Sequence, residues 1–170
     1  MTTMTKTAGA TPRNRSGFSL LGRLFDAHEA VGRRLSLWLE PLFNVIVRIW
    51  MGKIFLDSGM ARVVNWDKQE FLFAEEYKLG LLPAKVWALV TTGAELALPV
   101  LLFIGLFTRV PALGLLIMTG FIHFVVGSVN DDYLAPYHYV WMLAFGYLFI
   151  RGGGPLSADG LSKRQRQSAL

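Results

Sequence analysis

The chain of 170 residues contains no cysteine and few charged residues, and each absence narrows what it can do. Without cysteine there are no disulfides, thiolate metal ligands or dithiol redox centres, so any redox role needs a bound cofactor or a partner. Charged residues make up 17% of the chain and hydrophobic residues 53%, a composition typical of membrane proteins. The formal charge of +5 is better explained by membrane orientation than by nucleic acid, because no basic patch interleaves with exposed aromatic residues.

The N-terminal region also lacks the uninterrupted apolar run of a signal peptide. Residues 1–17 are polar and rich in threonine and arginine, and we predict a disordered basic tail there. In residues 18–40 apolar side chains recur at helical spacing, which predicts an amphipathic interfacial helix with its arginines toward lipid headgroups. The alternative is an ordinary cytosolic helix that packs on the membrane domain.

The following part of the chain, residues 41–151, alternates apolar segments with short polar connections. A helix needs about 20 apolar residues to cross the hydrocarbon core of a bilayer. We predict an all-α membrane protein, a bundle of four transmembrane helices in which Pro41 opens the first span. Residues 152–170 are then a cytoplasmic tail. The predicted spans are residues 42–64, 86–107, 111–128 and 137–150.

The distribution of lysine and arginine predicts the orientation of these spans. The N-terminal region, the loop between spans two and three and the C-terminal tail together hold eleven of the 17 basic residues, whereas the opposite side holds four. We therefore predict a multi-pass protein of the bacterial cytoplasmic (inner) membrane with both termini in the cytoplasm. On the other side, residues 65–85 contain aromatic residues among charged ones, a pattern that predicts a short helix. This segment is either a lid or partner surface, or a plain connector.

Span two carries a single ionisable group, Glu95, in the run VWALVTTGAELALPVLLFIGLF. A carboxylate at mid-membrane depth costs several kcal/mol unless it is neutral or paired. Thr91 and Thr92 share its helix face, and Arg48 of span one and His123 of span three also fall on inward faces. We predict an interior site in which Glu95 and His123 are catalytic and Arg48, Thr91 and Thr92 bind a cofactor. The alternative is a structural ion pair between Arg48 and Glu95.

The histidine of span three has three possible roles: proton carrier, metal ligand or hydrogen-bonded core residue. A metal site needs further ligands at suitable spacing. His28 and His138 are predicted on opposite sides of the membrane, so they cannot join one site. We therefore predict no metal site at His123.

Several stretches of the chain also resemble the DoxX family of small four-helix bacterial membrane proteins. The resemblance covers about residues 45–161 and rests on the order and spacing of RIWMGKIFLDSGMAR, FAEEYKLGLLP, GAELALPVLLFIGLFTR and PLSADGL. The family's recurring polar and glycine positions coincide here with Arg48, Gly52, Gly59, Glu95 and Arg109.

The family is similar to DoxD, the membrane subunit of archaeal thiosulfate:quinone oxidoreductase. The resemblance implies an inner-membrane component of a redox pathway, a quinone-interacting subunit that passes electrons from a protein partner and can form a homo-oligomer. Two alternatives remain open: a non-catalytic membrane anchor or assembly partner for a redox or peptide-modifying enzyme, and a small proton-coupled transporter.

Overall fold

The computed structural model describes residues 16–77 and 80–169, and every regular element in these ranges is helical. The predicted disordered tail lies outside the described residues up to position 15, whereas residues 16 and 17 are already helical. The elements are α1 (Ser16–Val64), α2 (Trp66–Phe71) with a π-helical continuation (Leu72–Glu76), α3 (Ala84–Ile104), α4 (Arg109–Gly120) with a π-helical continuation (Phe121–Val126), a 3-10 turn (Asp131–Tyr133), α5 (Tyr137–Arg151) and α6 (Ala158–Ser168).

Contacts divide the chain into two units, Met1–Trp38 and Leu39–Leu170. The described part of the first unit is helical, and large apolar side chains such as Leu24, Phe25 and Trp38 are more than half exposed there. The predicted helix start at Pro41 is wrong, because α1 continues through this residue. Proline fixes φ near the helical value and removes one N–H donor, so a helix can run through it at a cost.

In the second unit, one hydrophobic core receives side chains from four helices. Met51 and Phe55 of α1 pack there with Leu102 of α3, Leu115 of α4 and Phe145 of α5. Phe55 makes edge-to-face contacts with both Trp141 and Phe145, an arrangement that aromatic rings prefer. All four predicted spans coincide with helix over most of their length.

Within the described residues, two helical stretches are long and apolar enough to cross a membrane, Ala84–Ile104 and Arg109–Val126. Of the other two predicted spans, residues 42–64 carry four charged side chains, and α5 has 15 residues.

In this unit polar side chains are buried and large apolar side chains are exposed, as in a protein that faces lipid. Glu95, Thr92 and Thr119 are buried, whereas large apolar side chains face outward. Leu143 is 75% exposed and Ile117 is 63% exposed. Contiguous exposed apolar surface of this kind is rare on soluble monomers and common where lipid or another protein covers it.

Glycines let α1 and α3 approach each other closely. A Cβ added to Gly59 would lie 3.0 Å from the Cβ of Glu95, and one added to Gly52 would lie 2.6 Å from the Phe103 ring. Small residues at such crossings let helix backbones pack tightly inside membranes. Gly52 and Gly59 therefore form a face of α1 that packs directly on α3.

We expect the substitution Gly59→Leu to lower the free energy of unfolding by about 2 kcal/mol or more, because overpacking at a close contact displaces the helices. The measurement is the thermal midpoint of the purified protein in detergent. Gly93→Leu is the matched control, since a Cβ added to Gly93 of α3 meets nothing within 4 Å. Equal effects of the two substitutions would contradict this packing.

Candidate functional site

The most buried carboxylate of the described residues, Glu95, is paired with an arginine of α1 that the sequence analysis did not choose. Arg62 Nε lies 2.8 Å from Glu95 Oε2, and the Ser58 hydroxyl donates a hydrogen bond of 3.2 Å to the same oxygen. Glu95 is 1% exposed and the Arg62 side chain 18%. A buried charge is tolerated when a counter-charge and further hydrogen bonds satisfy it, as here.

Arg62 also lines a cavity of about 570 Å³ next to this pair. Its guanidinium therefore lies between the buried carboxylate and the cavity. Cationic and anionic groups both line the walls, together with asparagine side chains and tyrosines. The lining residues are Ser58, Ala61, Arg62, Asn65, Lys68, Gln69, Leu72, Glu76, Tyr77, Asn130, Asp132 and Tyr133.

A second, much smaller cavity of about 40 Å³ shares Arg62, Tyr77 and Tyr133 with the first. Its remaining lining is mostly apolar: Phe73, Thr91, Met118, Phe121, Ile122 and Val126. The shared residues place a polar space beside an apolar one. The small space has room for a few water molecules at most, so its side chains form an apolar wall beside the polar cavity.

The segment α2 with its π-helical continuation forms one wall of the site. The predicted short helix in residues 65–85 is thus present, and its Phe73 stacks on Trp87 of α3 at 6.4 Å between ring centroids. The hydroxyl groups of Tyr77 and Tyr133 form a hydrogen bond with 2.6 Å between the oxygens. Burial, reinforced by this bond, raises the pKa of Tyr77, so its hydroxyl stays protonated. The hydroxyl groups of Tyr77 and Tyr133 therefore stand at the junction of the two cavities.

Of the predicted cofactor-binding threonines, Thr91 reaches a cavity. It lines the small cavity while donating its hydroxyl proton to the Trp87 carbonyl at 2.8 Å. Thr92 is 4% exposed, and its hydroxyl has no hydrogen-bond partner among the described residues. The two threonines therefore differ in surroundings, and their role in cofactor binding stays a prediction.

The structure does not bring Arg48 and Glu95 together, so the expected ion pair between them is wrong. Arg48 is 2% exposed and donates Nη2 to the Leu156 carbonyl at 2.7 Å and Nη1 to the Leu102 carbonyl at 3.5 Å. The Leu102 carbonyl at the end of α3 also accepts from the Gly105 N–H at 3.1 Å, and the guanidinium is a second donor to it. Arg48 thus ties α1 to the end of α3 and to the segment after α5.

The same end of the molecule is closed by Asp159 at the start of α6. Its carboxylate accepts hydrogen bonds from the backbone N–H of Phe107 at 2.8 Å and from the N–H and hydroxyl of Thr108 at 2.9 Å each. Burial alone would raise the pKa of Asp159, but these bonds outweigh it and lower the pKa below its usual value. The motif PLSADGL is therefore a structural clamp on the turn between α3 and α4.

His123 is buried beside a second histidine, His138 of α5. Their Nδ1 atoms are 3.3 Å apart, and each residue is 5% exposed. That His28 and His138 cannot join one site stays a prediction, whereas the pairing of His138 with His123 was not predicted. Spans three and four are antiparallel and joined by a short loop, so a histidine near the end of one and the start of the next must lie at similar depth. That signal was available in the sequence.

The predicted site residues thus fall into three places: Glu95, Thr91 and Thr92 on α3, His123 beside His138, and Arg48 in the clamp region. Neither histidine lines either cavity. Catalytic roles for Glu95 and His123 stay predictions.

The chain belongs to the DoxX family, whose model matches residues 43–128. A protein of Haemophilus influenzae described as an uncharacterized protein is 30% identical over 131 residues, which cover 71% of this chain and 83% of that protein. No solved structure matches the chain. The family match contains Arg62, Glu95 and His123 and ends before His138.

We expect Arg62→Ala to cost about 3–5 kcal/mol of unfolding free energy, because it leaves the Glu95 carboxylate buried and unpaired. Glu95→Gln in the same chain should restore much of this loss, since the double variant buries no unpaired charge. Thermal midpoints of the single and double variants measure the coupling. The control is Arg164→Ala on the exposed helix α6, outside the predicted spans, which should change stability by less than about 1 kcal/mol.

We expect Asp159→Asn to lower stability at neutral pH by about 2 kcal/mol, because hydrogen bonds to a charged acceptor become bonds to a neutral one. A carboxyl with a lowered folded pKa stabilises the protein above its unfolded pKa, and this contribution is lost as pH falls through the folded pKa. The gap between wild type and variant should therefore close below about pH 4. The control variant is Asp131→Asn at an exposed position, and a pH-independent gap at Asp159 would contradict the clamp.

Proposed function

We propose that the chain is a four-helix protein of the bacterial inner membrane, with both termini in the cytoplasm and the large cavity at the opposite end. The apolar exterior around buried polar residues supports a lipid environment. The excess of basic residues in the N-terminal region, the α3–α4 loop and the tail supports the orientation. Lys53 and Asp57 neutralise each other on the exposed side of α1, which lowers the cost of placing that helix in a membrane.

We further propose that the cavity beside Arg62 binds the headgroup of a quinone. The single observation that carries this proposal is that Arg62, Tyr77 and Tyr133 line both the polar cavity and the apolar one. A quinone headgroup has two carbonyl oxygens that accept hydrogen bonds and an apolar ring and tail. The guanidinium is a donor, one hydroxyl of the hydrogen-bonded tyrosine pair keeps a proton to donate, and Phe121 and Met118 offer the apolar surface. The residues present therefore fit the group.

A bound quinone supplies the capacity to accept two electrons and two protons. In the chain itself, Arg62 would bind an oxygen of the headgroup, and Glu95 with Ser58 would hold the guanidinium in place. Glu95 is thus a positioning residue in this proposal. The chain lacks cysteine and so needs a protein partner as the electron donor. The exposed side of the α2 segment beside the cavity is where we place that partner.

A non-catalytic membrane anchor is the second candidate, and one observation favours it. The Glu95–Arg62–Ser58 cluster is internally satisfied and lies where Gly59 of α1 contacts α3, so it can serve helix packing alone. Glu95→Gln separates the two candidates. If the protein still accumulates, an anchor keeps its pathway active, whereas a quinone site with a displaced Arg62 loses activity. A proton-coupled transporter ranks last, because four short helices make a poor alternating-access device.

The direct test measures quinone binding to the full chain purified in detergent. We expect a short-chain ubiquinone analogue to raise the thermal midpoint and Tyr133→Phe to weaken its binding about tenfold, since one hydrogen-bond donor is lost. The matched control is Tyr147→Phe, because the Tyr147 hydroxyl is buried without a partner among the described residues and lies outside both cavities. Absence of quinone from the extracted lipid, together with no thermal shift, would contradict the proposal.

A further inference from the structure

The histidine pair is a second polar site that the cavity at Arg62 does not use. His123 lies in the π-helical continuation of α4 and His138 in the first turn of α5, with their rings at 83° to each other. The two Nδ1 atoms face each other at 3.3 Å, and one of them donates to the other. A metal ion that binds two imidazole nitrogens holds each of them at about 2 Å, with an angle of about 110° between the bonds. This geometry places the two nitrogens about 3.3 Å apart, which is the separation seen here.

The surroundings of the pair contain no further hard ligand. No group of three or more histidine, cysteine, aspartate or glutamate residues occurs in the described parts of the chain. Zinc and the hard divalent cations therefore lack the third and fourth ligands that they require.

A soft donor, by contrast, lies on the same helix faces. Met142 is one turn after His138, and its Sδ atom is 4.0 Å from the position of a Cβ on Gly120, which is one turn before His123. Thioether and imidazole together favour monovalent copper over the hard cations. Gly120 leaves open the space beside the sulfur.

Aromatic rings enclose the two imidazoles. Tyr139 and Phe124 stand edge-on to His123 with ring centroids at 4.6 and 4.9 Å, and Trp141 stands 5.1 Å from His138. These rings keep water away from the two imidazoles, and a monovalent ion costs less to bury in such surroundings without a counter-carboxylate than a divalent one.

We propose that His123 and His138 form a binding site for Cu(I), with the Met142 thioether as the third ligand. The ion is taken up without a redox step: its bonds to the two Nδ1 atoms replace their mutual hydrogen bond, and the proton of the donating Nδ1 moves to Nε2 of the same imidazole, so both rings stay neutral. It is separate from the proposed quinone cavity, because neither histidine lines that cavity.

The test titrates Cu(I) anaerobically, in competition with a chromophoric Cu(I) chelator, into the full chain purified in detergent. We expect one Cu(I) per chain, affinity reduced about a hundredfold in His138→Leu, and affinity reduced about tenfold in Met142→Leu. The third histidine gives a matched control: His28 is exposed on α1, and His28→Leu should bind as the wild type does.

Met142→Leu keeps the volume and shape of the side chain, so it tests the ligand set even if His138→Leu fails to fold. X-ray absorption at the copper edge of the wild-type protein should show two imidazole nitrogens and one sulfur. A wild-type chain that takes up no Cu(I), an unchanged affinity in folded His138→Leu, or a copper spectrum without imidazole would each overturn the proposal.

Discussion

The membrane domain depends on how it compensates one buried negative charge. Glu95 of α3 is 1% exposed, and Arg62 and Ser58 of α1 compensate its charge. The requirement for a close counter-charge fixes the register of α1 against α3, and Gly59 supplies the close approach that this register needs. The arginine that neutralises Glu95 also lines the large cavity, so stability and ligand binding share one side chain.

Two inward-facing arginines of α1, Arg48 and Arg62, bind different kinds of acceptor. Arg62 neutralises a carboxylate at one end of the helix pair, and Arg48 donates to main-chain carbonyl groups at the other. Both α1–α3 contacts are therefore charge-assisted hydrogen bonds, which are about twice as strong as neutral ones. Between them, Met51 and Phe55 provide the apolar packing.

The helical class and the inward faces of Glu95 and His123 followed from the sequence, because apolar periodicity and the cost of burying charge are local properties. The ion-pair partner of Glu95 did not follow from the sequence. Arg48, Lys53 and Arg62 all lie on one helix, and choosing among them needs the axial offset of α1 against α3. Glycine contacts in three dimensions determine that offset. The pairing of His123 with His138 was within reach of topology, whereas the clamp at Asp159 needed the path of the chain after α5.

The clamp at Asp159 has a consequence for the order in which the molecule matures. The N–H groups of Phe107 and Thr108 find their carboxylate only in a residue that the ribosome adds after α4 and α5 are complete. Until Asp159 is synthesised, the N–H groups in the turn between α3 and α4 lack their carboxylate acceptor, although both helices have already been made. The end of the domain that holds the α3–α4 turn therefore closes last, after synthesis of α3, α4 and α5.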